Sequence, residues 1–366
     1  MEDGFAKKDI FKGTYQKGQG AQISPHNRFL QNSYGQFEVE GIDDWEALDT
    51  KRPTQFILGE AKTIVNPVQS PDVGMAYSLN PYQGCEHGCI YCYARNSHQY
   101  WGYSAGVDFE RNIIVKKQAP QLFKTFLNKK NWTGDPITLS GNTDCYQPAE
   151  RKFKLTRQLL QIALDYKQPI SLITKNALIL RDLDLLREMA SMNLCAVYVS
   201  IGSLSEPLRQ KLEPRTTTAS QRLKIIEALS EAGIPVGIMD APIIPGLNDS
   251  EIANILKTVA SAGAKWAGYT VVRLNGEIGV IFKDWLEKTF PDKASKVWHS
   301  IEACHGGQVN DSVFGQRMRG DGHFATLIRQ TFKLHTKLNH LNTERLQLDT
   351  TLFRKPGEGK QLSLFD

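Results

Sequence analysis

No stretch of this chain approaches the ~18 consecutive apolar residues that a membrane helix needs. A helical integral membrane protein is therefore not expected. The start, Met1-Glu2-Asp3-Gly4-Phe5-Ala6-Lys7-Lys8, lacks the apolar core of a signal peptide, so a cytoplasmic location is the expectation. Cysteine is scarce, with six residues in 366, and three of the six fall within eight positions. Such a cluster cannot pair evenly, which argues against a disulfide framework. Internal repeats and low-complexity tracts are missing too, so a repeat array is not indicated. A large excess of one charge sign is missing as well: 44 Lys and Arg against 39 Asp and Glu leave a net value of +5, which permits a nucleic-acid partner without requiring one. What is present is 41% hydrophobic and 23% charged residues, enough for one large domain with extensions or for two domains.

The clustered cysteines are Cys85, Cys89 and Cys92, in Gly84-Cys85-Glu86-His87-Gly88-Cys89-Ile90-Tyr91-Cys92. The spacing is C-x3-C-x2-C. Soft thiolates suit iron–sulfur clusters, and three of them can hold three corners of a [4Fe–4S] cube. The fourth iron is then open to a cofactor or substrate. Zinc is the competing reading. A structural zinc closes with four ligands, often as two C-x2-C pairs. Here there is one triplet and no second pair, so His87 or His98 would have to complete the site.

Residues 1–70 are rich in Gly, Gln, Asn and Lys and read as a partly ordered N-terminal arm. Within it, Lys17-Gly18-Gln19-Gly20-Ala21 followed by Asn27-Arg28-Phe29 is either a docking element or a solvated tail. From Tyr77 short apolar runs alternate with amphipathic stretches. Strands are expected at 77–82, 137–141, 170–174, 195–201, 235–240 and 267–272. Leu155, Leu159, Ile162, Ala163 and Tyr166 share one helix face; Ile252, Ile255, Leu256 and Val259 share another. Strand–helix alternation implies a parallel sheet with right-handed crossovers. The fold class expected is α/β, a partial (β/α)6 barrel over residues 71–275. Chemistry in such barrels sits at the C-terminal strand ends. The cysteines directly follow the first strand, at that end. Residues 276–345 form a C-terminal helical extension, with helices expected at 276–303 and 321–342. A stripe of Phe324, Leu327, Ile328, Phe332 and Leu338 marks the second. Residues 346–366 read as a flexible tail.

Five segments then carry a resemblance: Asn80-Pro81-Tyr82-Gln83-Gly84-Cys85, Tyr91-Cys92-Tyr93-Ala94-Arg95, Asp108-Phe109-Glu110, Ile173-Thr174-Lys175, and Ala241-Pro242-Ile243-Ile244-Pro245-Gly246-Leu247-Asn248-Asp249. The region 77–275 resembles the radical S-adenosylmethionine (SAM) superfamily, and more narrowly its spore photoproduct lyase-like branch. The resemblance implies a [4Fe–4S] cluster on Cys85, Cys89 and Cys92, with SAM on the open iron. It also implies an external electron donor and reductive cleavage of SAM to a 5′-deoxyadenosyl radical. Tyr91 is the aromatic before the last cysteine. Ser140 and Thr143, in Ser140-Gly141-Asn142-Thr143-Asp144, fall where relatives hold the cofactor's amino group. Lys175 and Ser200 end the third and fourth strands and are candidates for its carboxylate or ribose; Arg215 is a further carboxylate candidate. The loop at Ile243 and Ile244 either covers the adenine or packs in the core.

In spore photoproduct lyases a hydrogen-donor cysteine lies near the end of the second strand. With Thr143-Asp144 as the register mark, that position is Gly141 here, so the chain is not expected to be such a lyase itself. Cys145, four residues on, is either a replacement catalytic donor or a plain buried thiol. Tyr82, Tyr91, Tyr93, Tyr100, Trp101 and Tyr103 either stack on bases, with Arg95 and Arg111 meeting phosphates, or wall the cluster from water, the reading preferred for most of them. The last residues, Gln361-Leu362-Ser363-Leu364-Phe365, resemble the peptide that binds the bacterial sliding clamp, with Gln361, Leu362, Leu364 and Phe365 as anchors. That resemblance implies delivery to DNA. The alternatives are the same chemistry on a protein or small molecule, and a zinc-stabilised module without activity.

Overall fold

The computed structural model describes residues 14–30 and 53–356. The strands are β1 (Gln55–Leu58), β2 (Val65–Pro67), β3 (Tyr77–Leu79), β4 (Tyr82–Gln83), β5 (Asn112–Val115), β6 (Ile137–Leu139), β7 (Ile170–Thr174), β8 (Cys195–Ser200), β9 (Val236–Ile243) and β10 (Trp266–Val271). The helices are α1 (Val107–Arg111), α2 (Ala119–Leu127), α3 (Ala149–Phe153), α4 (Leu155–Asp165), α5 (Leu183–Ser191), α6 (Glu206–Leu212), α7 (Ala219–Glu231), α8 (Ile252–Ser261), α9 (Glu277–Thr289), α10 (Pro291–Ala303) and α11 (Gly322–Leu338).

The main sheet runs β10-β9-β8-β7-β6-β3-β2. Its six strands from β3 to β10 are parallel, and β2 joins β3 antiparallel at the edge. This is the expected α/β arc, and it is an open one. Period-two alternation sets its faces. Ile137, Leu139, Ile170, Leu172, Val197 and Val199 pack outward against the helices. Between them Thr138 and Ser171 face the other way and bond each other at 2.7 Å. The α4 residues Leu159, Ile162 and Ala163 and the α8 residues Ile252, Ile255, Leu256 and Val259 fill the same core. Each fully buried Leu or Ile contributes about 1.5–3 kcal/mol.

The first expected strand is shorter than its apolar run. Pro81 lacks an N–H and cannot continue a ladder. The chain leaves β3, and β4 pairs antiparallel with β5 in a second sheet of order β1-β5-β4. The single helix expected at 276–303 is two. Proline disfavours helical backbone in the residue before it and favours a helix's first turn. Phe290 accordingly is non-helical (φ −139°, ψ 59°), and α10 starts at Pro291.

Two further expectations are corrected. In α11 the buried face is Ala325, Ile328, Phe332 and Thr336. Phe324, Leu327 and Leu338 of the expected stripe are 39%, 52% and 60% exposed. Residues 346–356 of the expected flexible tail are fastened to the rest of the chain. Asn193 Nδ2 donates to the Gln347 carbonyl at 2.9 Å, Asp349 N to Asn193 O at 2.9 Å, and Arg354 N to Tyr166 O at 3.0 Å. Phe353 packs on the core, over Gly134. Residues 361–365 lie outside the described residues. Arg317 pairs with Asp72 and donates to Ser70 Oγ at 2.5 Å, fastening the loop beside β10 to the loop between β2 and β3. That link spans the open side of the arc. A second core, with Ile90, Ile244, Phe282, Trp285 and Ile301, packs α9 and α10 beneath the cysteine loop.

Candidate active site at the C-terminal strand ends

The cysteine loop starts directly after β4. Gly84 has φ +77°, and a Cβ there would lie 2.9 Å from the Asn112 carbonyl, so this turn needs glycine. Cys85 N donates to Phe109 O at 2.8 Å and Cys92 N to Cys89 O at 3.3 Å. Cys85 and Cys89 are only 6% and 7% exposed, and Cys92 is half-buried. Burial pushes all three thiols up, Cys89 to about 12. Beyond burial, the charges of Cys89 and Cys92 raise Cys85, and Cys92 raises Cys89. The three sulfurs therefore share one neighbourhood, where bound iron would offset their repulsion. Among the described residues no three His, Cys, Asp or Glu groups converge on a single ion position. A cubane takes each sulfur on its own iron and does not require such convergence.

Asp144 ties this loop to the strand ends. It accepts from Thr174 Oγ1 at 2.8 Å and from Lys175 N at 2.8 Å, and it lies 3.5 Å from His87 Nδ1. On the other side of the ring Asn176 Nδ2 is 3.0 Å from Nε2. With Asn176 donating, the His87 proton sits on Nδ1, toward Asp144. Burial pulls His87 down to about 4, so the ring is neutral at pH 7. Sequence reasoning used Asp144 only as a register mark and missed this role. The signal was a carboxylate at one strand end with Thr174-Lys175-Asn176 at the next.

The structure sorts the expected cofactor residues. Lys175 is half-buried and faces Cys89 and Glu213. Burial works against its ammonium, yet those two groups hold its pKa above the ordinary value. Among the described residues its ammonium has no hydrogen-bond or ion-pair partner. Ser200, buried at the end of β8, uses its carbonyl to accept from Arg222 at 2.8 Å. Tyr91 donates to Glu213, which pairs with Arg222. Burial opposes the Glu213 charge, but Arg222 and Lys175 bring its pKa down to about 2.

Other expected contacts are redirected. The Thr143 hydroxyl donates to Tyr82 O at 2.7 Å, and Ser140 Oγ accepts from Cys145 N at 2.8 Å. Both side chains shape the loop after β6, leaving its backbone for any ligand. Arg215 is corrected: its guanidinium is used up on Glu86 O, Gly18 O and Glu110, behind the cysteine loop. Cys145 is corrected too. It is fully buried in the core between sheet and helices, and burial pushes its thiol well above the ordinary value. At Gly141 a Cβ would overlap Ser78 Oγ, so a side chain there would require Ser78 to turn away. Ile243 and Ile244 are core residues. The aromatic wall is incomplete: Tyr82 is buried, but Tyr93, Tyr100 and Trp101 are exposed. Tyr93 donates to the Gly141 carbonyl at 2.7 Å, spanning the two loops.

A model of the radical SAM superfamily matches residues 79–259. A protein of Methanocaldococcus jannaschii is 31% identical over 238 residues, 65% of this chain and 85% of that one. The chain belongs to the radical SAM superfamily. A relative in Mycobacterium tuberculosis (strain ATCC 25618 / H37Rv) is 32% identical over 222 residues, 60% of this chain. The match spans only 65% of that relative's length. Among solved structures, spore photoproduct lyase complexed with dinucleoside spore photoproduct aligns with a TM-score of 0.57, covering 77% of this chain and 79% of that one. At 15% identity that likeness shows the fold. Members of this superfamily use a [4Fe–4S] cluster and SAM. The residues present fit both groups: three sulfurs whose thiolate forms repel one another, for iron, and beside them a half-buried ammonium without a hydrogen-bond or ion-pair partner among the described residues, for a carboxylate. No helix among the described residues is long and apolar enough to cross a membrane.

Proposed function

We propose that this radical SAM enzyme acts on nucleic acid, in a lyase-like repair reaction. Cys85, Cys89 and Cys92 would hold the cluster, and Lys175, with Ser200 at the next strand end, would take the SAM carboxylate. The bound cofactors supply a 5′-deoxyadenosyl radical after one-electron reduction by an external donor in the cytoplasm. The chain's own work is to position and to exclude water. Asp144 and His87 lock the cysteine loop to β7. Tyr91, through Glu213 and Arg222, fixes the loop's far end. Ile90 and the second core keep it dry from below.

The observation that carries the nucleic-acid reading is α11. Its 17 residues include Arg329, Lys333 and Lys337 and no acid. These three recur every four residues, so they share one face, and all are exposed. The helix starts beside Cys304, whose carbonyl accepts from Asp321 N, and neighbouring His305 bonds the Val272 carbonyl just past β10. The helix thus begins at the end of the barrel that carries the cysteines, and its basic face runs from Arg329 toward the other end, where Asn342 N donates to Lys265 O just before β10. Clustered cations without acids suit phosphates. The C-terminal clamp-like peptide, with Gln361, Leu362, Leu364 and Phe365 as anchors, supports the same reading by offering a route to DNA.

The test is salt-dependent binding of an oligonucleotide by fluorescence anisotropy. Each phosphate contact adds about 0.9 to the slope of log K against log salt on duplex DNA. Arg329→Gln, Lys333→Gln and Lys337→Gln together should flatten the slope by about 2–3. An unchanged slope and affinity would leave a protein or small molecule as the better substrate class.

A further inference from the structure

The N-terminal arm closes the outer face of the cysteine loop, and Glu110 is its fastening point. Glu110 is fully buried. Burial opposes its charge, but Arg95 and Arg215 hold its pKa below the ordinary carboxylate value. Its carboxylate accepts from four donors: Gly20 N at 3.2 Å, Ala21 N at 2.7 Å, Arg95 at 2.6 Å and Arg215 at 2.5 Å. Both arginines continue into the loop. Arg95 donates to Cys89 O at 3.0 Å and Gly88 O at 3.2 Å. Arg215 donates to Glu86 O, and also to Gly18 O at 2.9 Å.

The packing is as tight as the bonding. A Cβ at Gly20 would overlap the Gly88 carbonyl oxygen. A Cβ at Gly88 would come within 2.7 Å of both Arg215 and Glu110. Further along, Asn27 Nδ2 donates to Gln99 O at 2.9 Å and Tyr103 O at 3.1 Å, pinning the arm beside the loop. A cavity of about 430 Å³ remains between arm and loop, lined by Lys17, Gln19, Glu86, Glu110, Arg111 and Arg215. Solvent that enters it reaches Glu86, while Gly20 covers Gly88 next to Cys89.

We infer that Glu110 and arm residues 18–21 are part of the cluster site. Glu110 is a positioning residue that fixes Gly88 and Cys89 through Arg95, and the arm it fastens keeps water and dioxygen off the loop's outer face. This rests on the cysteine triplet holding the cluster. The lysine–glycine–glutamine segment at 17–21 is therefore a docking element, and its receptor is the cysteine loop of its own chain.

The test compares anaerobically reconstituted wild type with Gly20→Ala, Glu110→Gln and Glu110→Asp. Iron and sulfide are counted first. Loss of the cluster's visible absorbance in air-saturated buffer is then timed without SAM, and the reduction potential is measured. Gly20→Ala leaves every charge in place. It should load iron and bleach at least fivefold faster, or fail to load iron while keeping its circular dichroism spectrum. Glu110→Gln should bleach faster still with a shifted potential, and Glu110→Asp should recover part of the wild-type behaviour. A folded, iron-replete Gly20→Ala with wild-type bleaching and potential would overturn the inference. If the variants do not fold, hydrogen exchange on wild type decides. Removing the cluster with a chelator should speed exchange at the Gly20 and Ala21 amides, and unchanged exchange there would also overturn it. A wild type that binds no iron–sulfur cluster would instead refute the cysteine assignment.

Discussion

Asp240 gives the sharpest prediction about stability. It lies in β9, 1% exposed, and among the described residues neither carboxylate oxygen has a hydrogen-bond partner. Burial, then the charge of Glu251, pushes its pKa up to about 8. In the unfolded chain the group titrates near ~3.9. Between these values the folded protein keeps a proton that the unfolded chain has lost. Folding takes up that proton, so stability falls as pH rises, by about 1.4 kcal/mol per unit. The loss is absent below the unfolded pKa and levels off above the folded one. At pH 7 it amounts to about 4 kcal/mol. Asp240→Asn keeps the shape and removes the ionisation. It should stabilise the protein by about 4 kcal/mol at pH 7 and by about 1.5 kcal/mol at pH 5. Urea unfolding of the cluster-free protein, read by circular dichroism from pH 5 to 8, measures the gap; other titrating groups cancel in the comparison. A gap that stays constant over this range, or that narrows toward pH 8, would refute the reasoning.

Lys175→Ala should weaken SAM binding about 10–100-fold in equilibrium dialysis, the value of one charged hydrogen bond, with iron content unchanged. Equal affinity would remove Lys175 from the site. Glu213→Ala strands the buried Arg222 and should cost about 3–5 kcal/mol in urea unfolding. A loss below ~1 kcal/mol would show the pair to be solvated. Deleting residues 361–366 should abolish co-elution with a bacterial sliding clamp, and retained co-elution would end that reading of the tail.

The six parallel strands were legible because each is an apolar run bounded by turn residues, and alternation along it survives folding intact. The cysteine loop was legible because its chemistry is local: three donors within eight residues. The face of α11 was not. Apolar residues recur at helical spacing on both its sides, and periodicity alone cannot choose between Ile328 and Leu327 as the inward one. Arg215 and Glu110 were illegible for another reason. Apart from Arg95 beside Glu110, their partners lie about ninety or more residues away, at Gly18, Gly20 and Glu86, and no short-range pattern announces such a bond. The fastened part of the tail escaped for a third: most of its bonds are to backbone groups, which any sequence can make. Cys145 and Lys175 looked alike as polar groups near strand ends. Which of them faces the cysteine loop and which the core depends on the turn each strand makes after its last paired residue.

The most direct test is Mössbauer and electron-nuclear double resonance spectroscopy of the anaerobically reconstituted protein, with and without isotopically labelled SAM. A cubane on Cys85, Cys89 and Cys92 predicts one distinct iron whose signal changes when SAM binds, and loss of the cube when any of the three is changed to alanine. Four equivalent irons unmoved by SAM, or zinc in place of iron and sulfide, would contradict it.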